Sequence, residues 1–201
     1  IRYSEKMFNM MKLLLILILT LSFQLLAKAD DIRDFEIEGI SIGDSALDYF
    51  SEKEILSVKQ NTQYPNDKFI IYQLESIKLL KTYSALNVSI KKNDKKYVIS
   101  HMQAIIYYND AKDFLKCNPQ QKIIVSEFTK LFSNSKIENT KYLSSFDKKS
   151  PVEGTEIYLN NGAVIAINCN DWFKQSTLTK NLNVGLASRE FHKFILEEAF
   201  N

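Results

Sequence analysis

The chain has 201 residues, 26 Lys and Arg against 24 Asp and Glu, and 45% hydrophobic residues. That is apolar material for the core of one ordinary domain. A near balance of charge with scattered lysines gives no electrostatic footprint for nucleic acid.

The first informative element is near the start. Lys12 precedes a short apolar run over residues 13–26 (LLLILILTLSFQLL), and Ala27-Lys28-Ala29 follows. A positive residue, an apolar stretch and an A-x-A end are the parts of a secretory signal peptide. Thr20, Ser22 and Gln24 interrupt the run, which falls short of the roughly 20 apolar residues of a membrane span. Cleavage after Ala29 is therefore expected, with an uncleaved anchor in the inner membrane as the alternative. Translation is expected to start at Met7, Met10 or Met11, with IRYSEK upstream of it. The two cysteines lie far from the cleavage point, which argues against a lipoprotein. Residues 1–29 hold four basic residues (Arg2, Lys6, Lys12, Lys28) and one acidic (Glu5), so their removal turns the formal charge of +2 into −1.

Residues 30–201 then read as a single exported domain. Phe35-Glu36-Ile37-Glu38 alternates as a half-buried strand does, and Gly39 and Gly43 break it. Asp44 is placed to cap a short helix containing Ala46, Leu47, Tyr49 and Phe50. Ser51-Glu52-Lys53-Glu54 is a capping box for a second helix reaching Val58. Residues 59–67 are expected as a polar loop. Strands are expected at 69–74, at 85–91 and over 97–108. The last two flank the Lys91–Lys96 cluster, which reads as a solvated hairpin tip, the alternative being a patch for anionic lipid or an acidic polymer.

Asn118-Pro119 is expected to open the longest helix, with Ile124, Phe128, Leu131 and Phe132 on its apolar stripe. Residues 133–154 read as a polar loop tacked down by Tyr142, Leu143 and Phe146. Asn160-Asn161-Gly162 is a turn between strands at 155–159 and 163–169. One more strand is expected at 182–186. Ser188 then caps a helix that turns Phe191, Phe194, Ile195 and Ala199 to the core.

Cys117 and Cys169 are the only thiols. An even pair in an exported chain reads as a disulfide, tying the long helix to the end of the second hairpin. Free buried thiols are the alternative. No C-x-x-C is present, and His101 and His192 lack metal-ligand spacing, so no metal or other cofactor is expected.

Two motifs resemble hydrolase chemistry. Gly39-Ile40-Ser41-Ile42-Gly43 matches G-x-S-x-G, the nucleophile elbow, and Ser41, Asp171 and His192 follow in a possible triad order. Only a few residues of the exported domain precede it, too few for the strands that build that elbow. Gly43-Asp44-Ser45 resembles the first block of the Gly-Asp-Ser-Leu lipases and esterases, which would make Ser45 the nucleophile. Ala46 stands in place of Leu, Asn168-Cys169-Asn170-Asp171 lacks the Gly of a later block, and Arg189 replaces the Asp before His192. Without a base, a serine hydroxyl is a poor nucleophile. His101, in an apolar strand, and His192, on an amphipathic helix, read as buried or packed histidines.

The stretch over residues 35–55 resembles the opening of a group of exported proteins of unknown function from AT-rich marine bacteria, which implies a periplasmic α+β domain. Gly39-Ile40-Ser41-Ile42-Gly43-Asp44-Ser45 is more faintly similar to small outer-membrane assembly lipoproteins of the SmpA/OmlA type, from which this chain departs in length and in having no lipidated Cys.

The expected fold is α+β, with an antiparallel sheet of about five strands, two principal helices and one disulfide. The expected function is non-catalytic binding, in the periplasm or outside the cell, of an envelope protein or a small ligand. Tyr107, Tyr108 and Trp172 are the candidate binding residues. The alternative is a serine hydrolase using Ser41 or Ser45.

Overall fold

The computed structural model describes residues 31–61, 64–75, 80–144, 147–173 and 178–200. The leader at 13–29 and Phe146 lie outside them. The fold is α+β, built on one antiparallel sheet of eight strands rather than about five. The strands are β3 (Lys59–Asn61), β4 (Phe69–Glu75), β5 (Ala85–Lys91), β6 (Ile99–Tyr107), β7 (Lys136–Leu143), β8 (Pro151–Tyr158), β9 (Val164–Asn170) and β10 (Asn181–Ala187). Their spatial order is β3-β4-β5-β6-β10-β9-β8-β7. Two sequential meanders therefore meet at their last strands, with Tyr107 opposite Asn181 and His101 opposite Ala187.

The extra strands are the sheet's edges. Residues 59–61 and 136–143 carry polar side chains without an apolar alternation, so they read as loops in the sequence; backbone pairing to β4 and β8 makes them strands. The expected 133–154 loop thus contains β7 and the start of β8.

The two faces of the sheet differ. One face carries Leu86, Val88, Met102, Ala104, Ile165, Ile167, Leu182, Val184 and Leu186, all nearly solvent-free. Each large side chain buried there contributes about 1.5–3 kcal/mol. Helix α3 (Cys117–Leu131) covers this face over β8, β9 and β10, with Cys117, Ile124 and Phe128 inward. Gln121 reaches through it to donate to the carbonyls of Ile167 (2.7 Å) and Glu153 (2.9 Å). The N-terminal segment covers the rest. It contains β1 (Glu36–Ile37), β2 (Ile40–Ser41) and α1 (Glu52–Ser57). Phe35 meets Phe128 of α3 at 4.6 Å between ring centres.

Two local expectations shift. Asp44 caps no helix; its carboxylate accepts from Ser41 N–H and Tyr49 O–H, and Ser45 caps a single 3-10 turn at Ala46–Asp48 instead. The Ser51–Glu54 capping box forms as expected. Helix α3 begins at Cys117, because α2 (Ala111–Phe114) feeds directly into it through Leu115 and Lys116; Pro119 still falls in the first turn, where its missing N–H costs nothing. Cys117 and Cys169 are disulfide-bonded, with Cα atoms 5.9 Å apart.

The second face is covered at one end only by described elements. Helix α4 (Arg189–Glu197), capped by Ser188, lays Phe191 and Phe194 on Phe69 and His101. Among the described residues no helix is long and apolar enough to cross a membrane.

Candidate functional site

Beyond α4 the second face becomes polar, and strand alternation explains why. On β9, Asn168 and Asn170 flank Cys169; on β10, Asn181 and Asn183 flank Leu182. The cysteine and leucine point into the core, so the four asparagines must point to the other face. Register then places Asn168 opposite Asn183 and Asn170 opposite Asn181. The quartet spans two adjacent strands.

On β6 the position opposite Asn183 is the apolar Ile105, and polar side chains resume at the next position along that face. Asn87 lies opposite Gln103 and donates its amide to Gln103 Oε1 at 3.1 Å. Beyond Asn168 the same row crosses Gly154 and ends at Thr140 on β7. Gly154 is required there by proximity, not by backbone angle. A Cβ at Gly154 would fall 2.1 Å from Asn168 Oδ1 and 2.7 Å from Thr140 Oγ1. Two neighbouring side chains thus lean into the space the glycine leaves.

The quartet is unevenly satisfied. Asn170 donates to Asn181 Oδ1 at 2.7 Å, and Asn181 donates to the Thr179 carbonyl at 2.8 Å. Asn183 Oδ1, Asn168 Oδ1 and Thr140 Oγ1 are buried without a hydrogen-bond partner, as is Asn87 Oδ1. The first three occupy one row across β10, β9 and β7. Leaving a buried polar atom unmatched costs about 1–3 kcal/mol, so three in a row call for an explanation.

The row itself is uncharged, and the carboxylates beside it are already engaged. Glu156 accepts from the Tyr158 hydroxyl, and Glu138 pairs with Lys136. His101 is the imidazole of this face. Its Nδ1 is 3.0 Å from Ser89 Oγ, and its ring stacks on Phe191 at 4.4 Å. Burial pushes it down to about 4, so it is neutral at physiological pH. The face offers hydrogen bonds to a ligand more readily than proton transfer.

The candidates read from sequence fall in separate places. Tyr107 stands opposite Asn181, in line with the quartet. Tyr108 is on the opposite side, buried, with its hydroxyl bonded to Gln120 and its ring against Phe114. Trp172 follows β9 two residues after Asn170, partly buried. Ser41 Oγ donates to the Phe35 carbonyl at 3.1 Å, and Ser45 Oγ to the Lys96 carbonyl at 2.7 Å. His192 lies on α4 with its ring 5.9 Å from that of Tyr158. Each serine hydroxyl is thus turned to a backbone carbonyl. Among the described residues no group of His, Cys, Asp and Glu is arranged to hold a metal ion.

The asparagines were legible only as a pattern. N-x-N occurs at 168–170 and again at 181–183, each with an apolar middle residue. That alternation marks an amide-lined strand face, but only the register shows that the two motifs adjoin. No family model, curated protein or solved structure matches this chain.

Proposed function

We propose that this chain is an exported, non-catalytic binding domain, and that the asparagine face of its sheet takes a neutral, hydroxyl-rich ligand such as an oligosaccharide. The observation that carries this reading is the row Asn183, Asn168, Thr140, with three unmatched polar oxygens on one uncharged surface. Two are carboxamide carbonyls and one is a hydroxyl, and acceptors of that kind call for a donor-bearing ligand. Hydroxyl groups supply donors without the charge that this face does not balance. Three strand spacings separate β10 from β7, so the row is roughly 14 Å long and suits an extended ligand. Tyr107, at the side of the quartet, adds a ring of the kind on which a sugar packs. The leader-like segment and the Cys117–Cys169 bridge support a site of action outside the cytoplasm.

Isothermal titration with a panel of neutral oligosaccharides tests the reading. At least one is expected to bind, and Asn168→Ala is expected to weaken it by about tenfold, the loss of one good hydrogen bond. Absence of binding across the panel, or binding that Asn168→Ala leaves unchanged, would sink it. A fluorophosphonate probe separates the hydrolase alternative, which demands labelling that Ser41→Ala or Ser45→Ala abolishes; the binding domain is expected to show none.

A further inference from the structure

We infer that two copies of this chain pair antiparallel through β7, about a two-fold axis at Thr140. β7 is the outermost strand on its side of the sheet. The edge at the other side, β3, has three residues; β7 has eight, with no proline and no break in register. Proteins blunt their sheet edges by shortness, proline, bulges or charged side chains; β7 has only the last of these. Its lysines Lys136 and Lys141 are taken up by Glu138 and Glu153. Ile137, Tyr142 and Leu143 are 46%, 46% and 58% exposed.

The hydrogen bonds of the neighbouring turn fix which backbone groups point outward. Ser144 N–H donates to the Ser150 carbonyl at 2.8 Å, so these two form a hydrogen-bonded pair. Alternation then turns Tyr142, Thr140 and Glu138 toward β8, and turns the N–H and C=O of Ile137, Asn139, Lys141 and Leu143 outward. On β8, the bond from Asp171 N–H to the Pro151 carbonyl gives a consistent parity. No described residue bonds those outward groups.

A second copy fits this edge in one best register. Residues opposite each other in an antiparallel pair share a face, so the axis lies at a residue, and the two registers that overlap most of the strand put it at Thr140 or at Asn139. With the axis at Thr140, Ile137 meets Leu143 of the partner subunit, and Asn139 meets Lys141 of the partner subunit. Every outward N–H then finds an outward C=O, and the two exposed apolar side chains lie side by side. With the axis at Asn139, Ile137 faces a lysine and Leu143 runs past the partner strand's end. The self-complementarity of KIENTKYL in the first register selects a second copy over an unrelated strand. The two asparagine faces would then join across the axis into one continuous surface, although the pairing does not depend on what binds there.

Light scattering and directed cross-linking of the full chain test this. The wild type is expected to show twice the monomer mass, and Ile137→Lys to return it to monomer with an unchanged circular dichroism spectrum. Thr140 lies at a non-hydrogen-bonded position, where opposed Cα atoms are about 4.5 Å apart, within disulfide reach. Thr140→Cys is therefore expected to give a covalent dimer on a non-reducing gel, in preference to Asn139→Cys. A monomer at every concentration overturns the inference. So does a dimer that neither cysteine traps, or one trapped preferentially by Asn139→Cys.

Discussion

The carboxamide oxygen of Asn168 fills the space in which a side chain at Gly154 would begin, 2.1 Å from the position of its Cβ. Glycine in the interior of a strand ordinarily weakens it, and alanine there ordinarily stabilises by a few tenths to 1 kcal/mol. Here the sign should invert. Gly154→Ala is expected to destabilise by about 1–3 kcal/mol, as overpacking does. Urea unfolding measures it. Combining Gly154→Ala with Asn168→Ala should recover most of the loss, since the second change removes the obstructing oxygen.

A surface kept for binding is kept at the expense of stability. Asn168 Oδ1 is buried and unmatched, so Asn168→Val should stabilise the unliganded protein by about 1 kcal/mol while weakening ligand binding by about tenfold or more. Opposite movement of the unfolding midpoint and the affinity is the expected result. A variant that loses both, or neither, would show that this oxygen belongs to the packing alone.

His101 gives the protein an acid-sensitive element. Its folded value is pushed down to about 4 by burial, against about 6.5 when unfolded. Between those values the unfolded chain binds the extra proton, so stability rises with pH. Its contribution is complete above pH 6.5 and is lost as the pH falls toward 4, by up to about 3 kcal/mol. Unfolding free energies of wild type and His101→Gln across that window should differ in slope, the variant being flatter. Equal slopes would mean that the ring is hydrated in solution.

The Cys117–Cys169 bridge closes a loop with a sequence separation of 52. In the chain-entropy account this stabilises by about 4 kcal/mol, an upper expectation. Unfolding with and without reductant should show a lower urea midpoint for the reduced protein. A change below about 1 kcal/mol would mean that packing of α3 on β9 already confines that loop in the unfolded ensemble.

The elements legible in the sequence were those whose side chains alternate between core and solvent. The strand at 85–91 has Leu86, Val88 and Ile90 on one face and Asn87 and Ser89 on the other, and it forms with those bounds. The Asn160–Gly162 turn and the Ser188 cap were equally local, and both appear as expected. β7 was illegible because neither of its faces is deeply buried, so no period marks it. The asparagine row was illegible for another reason: it exists only across strands, and Asn168, Asn183 and Thr140 come together through three registers that no local pattern encodes. Tyr108 looked like Tyr107 in sequence, yet adjacent positions on a strand face opposite ways.

The junction of β6 with β10 also sets an order of events. The first meander is complete once Tyr107 has been made, but the edge of β6 that faces away from β5 has no partner until Asn181–Ala187 arrives. Throughout that interval an apolar nine-residue strand presents an open edge, the configuration most prone to pairing with the wrong chain. A chain crossing a membrane thread-first would expose that edge on the far side before it could be closed. For an exported chain of this fold, yield in the cell is expected to depend on what shields β6 during transit, more than on the stability of the finished fold.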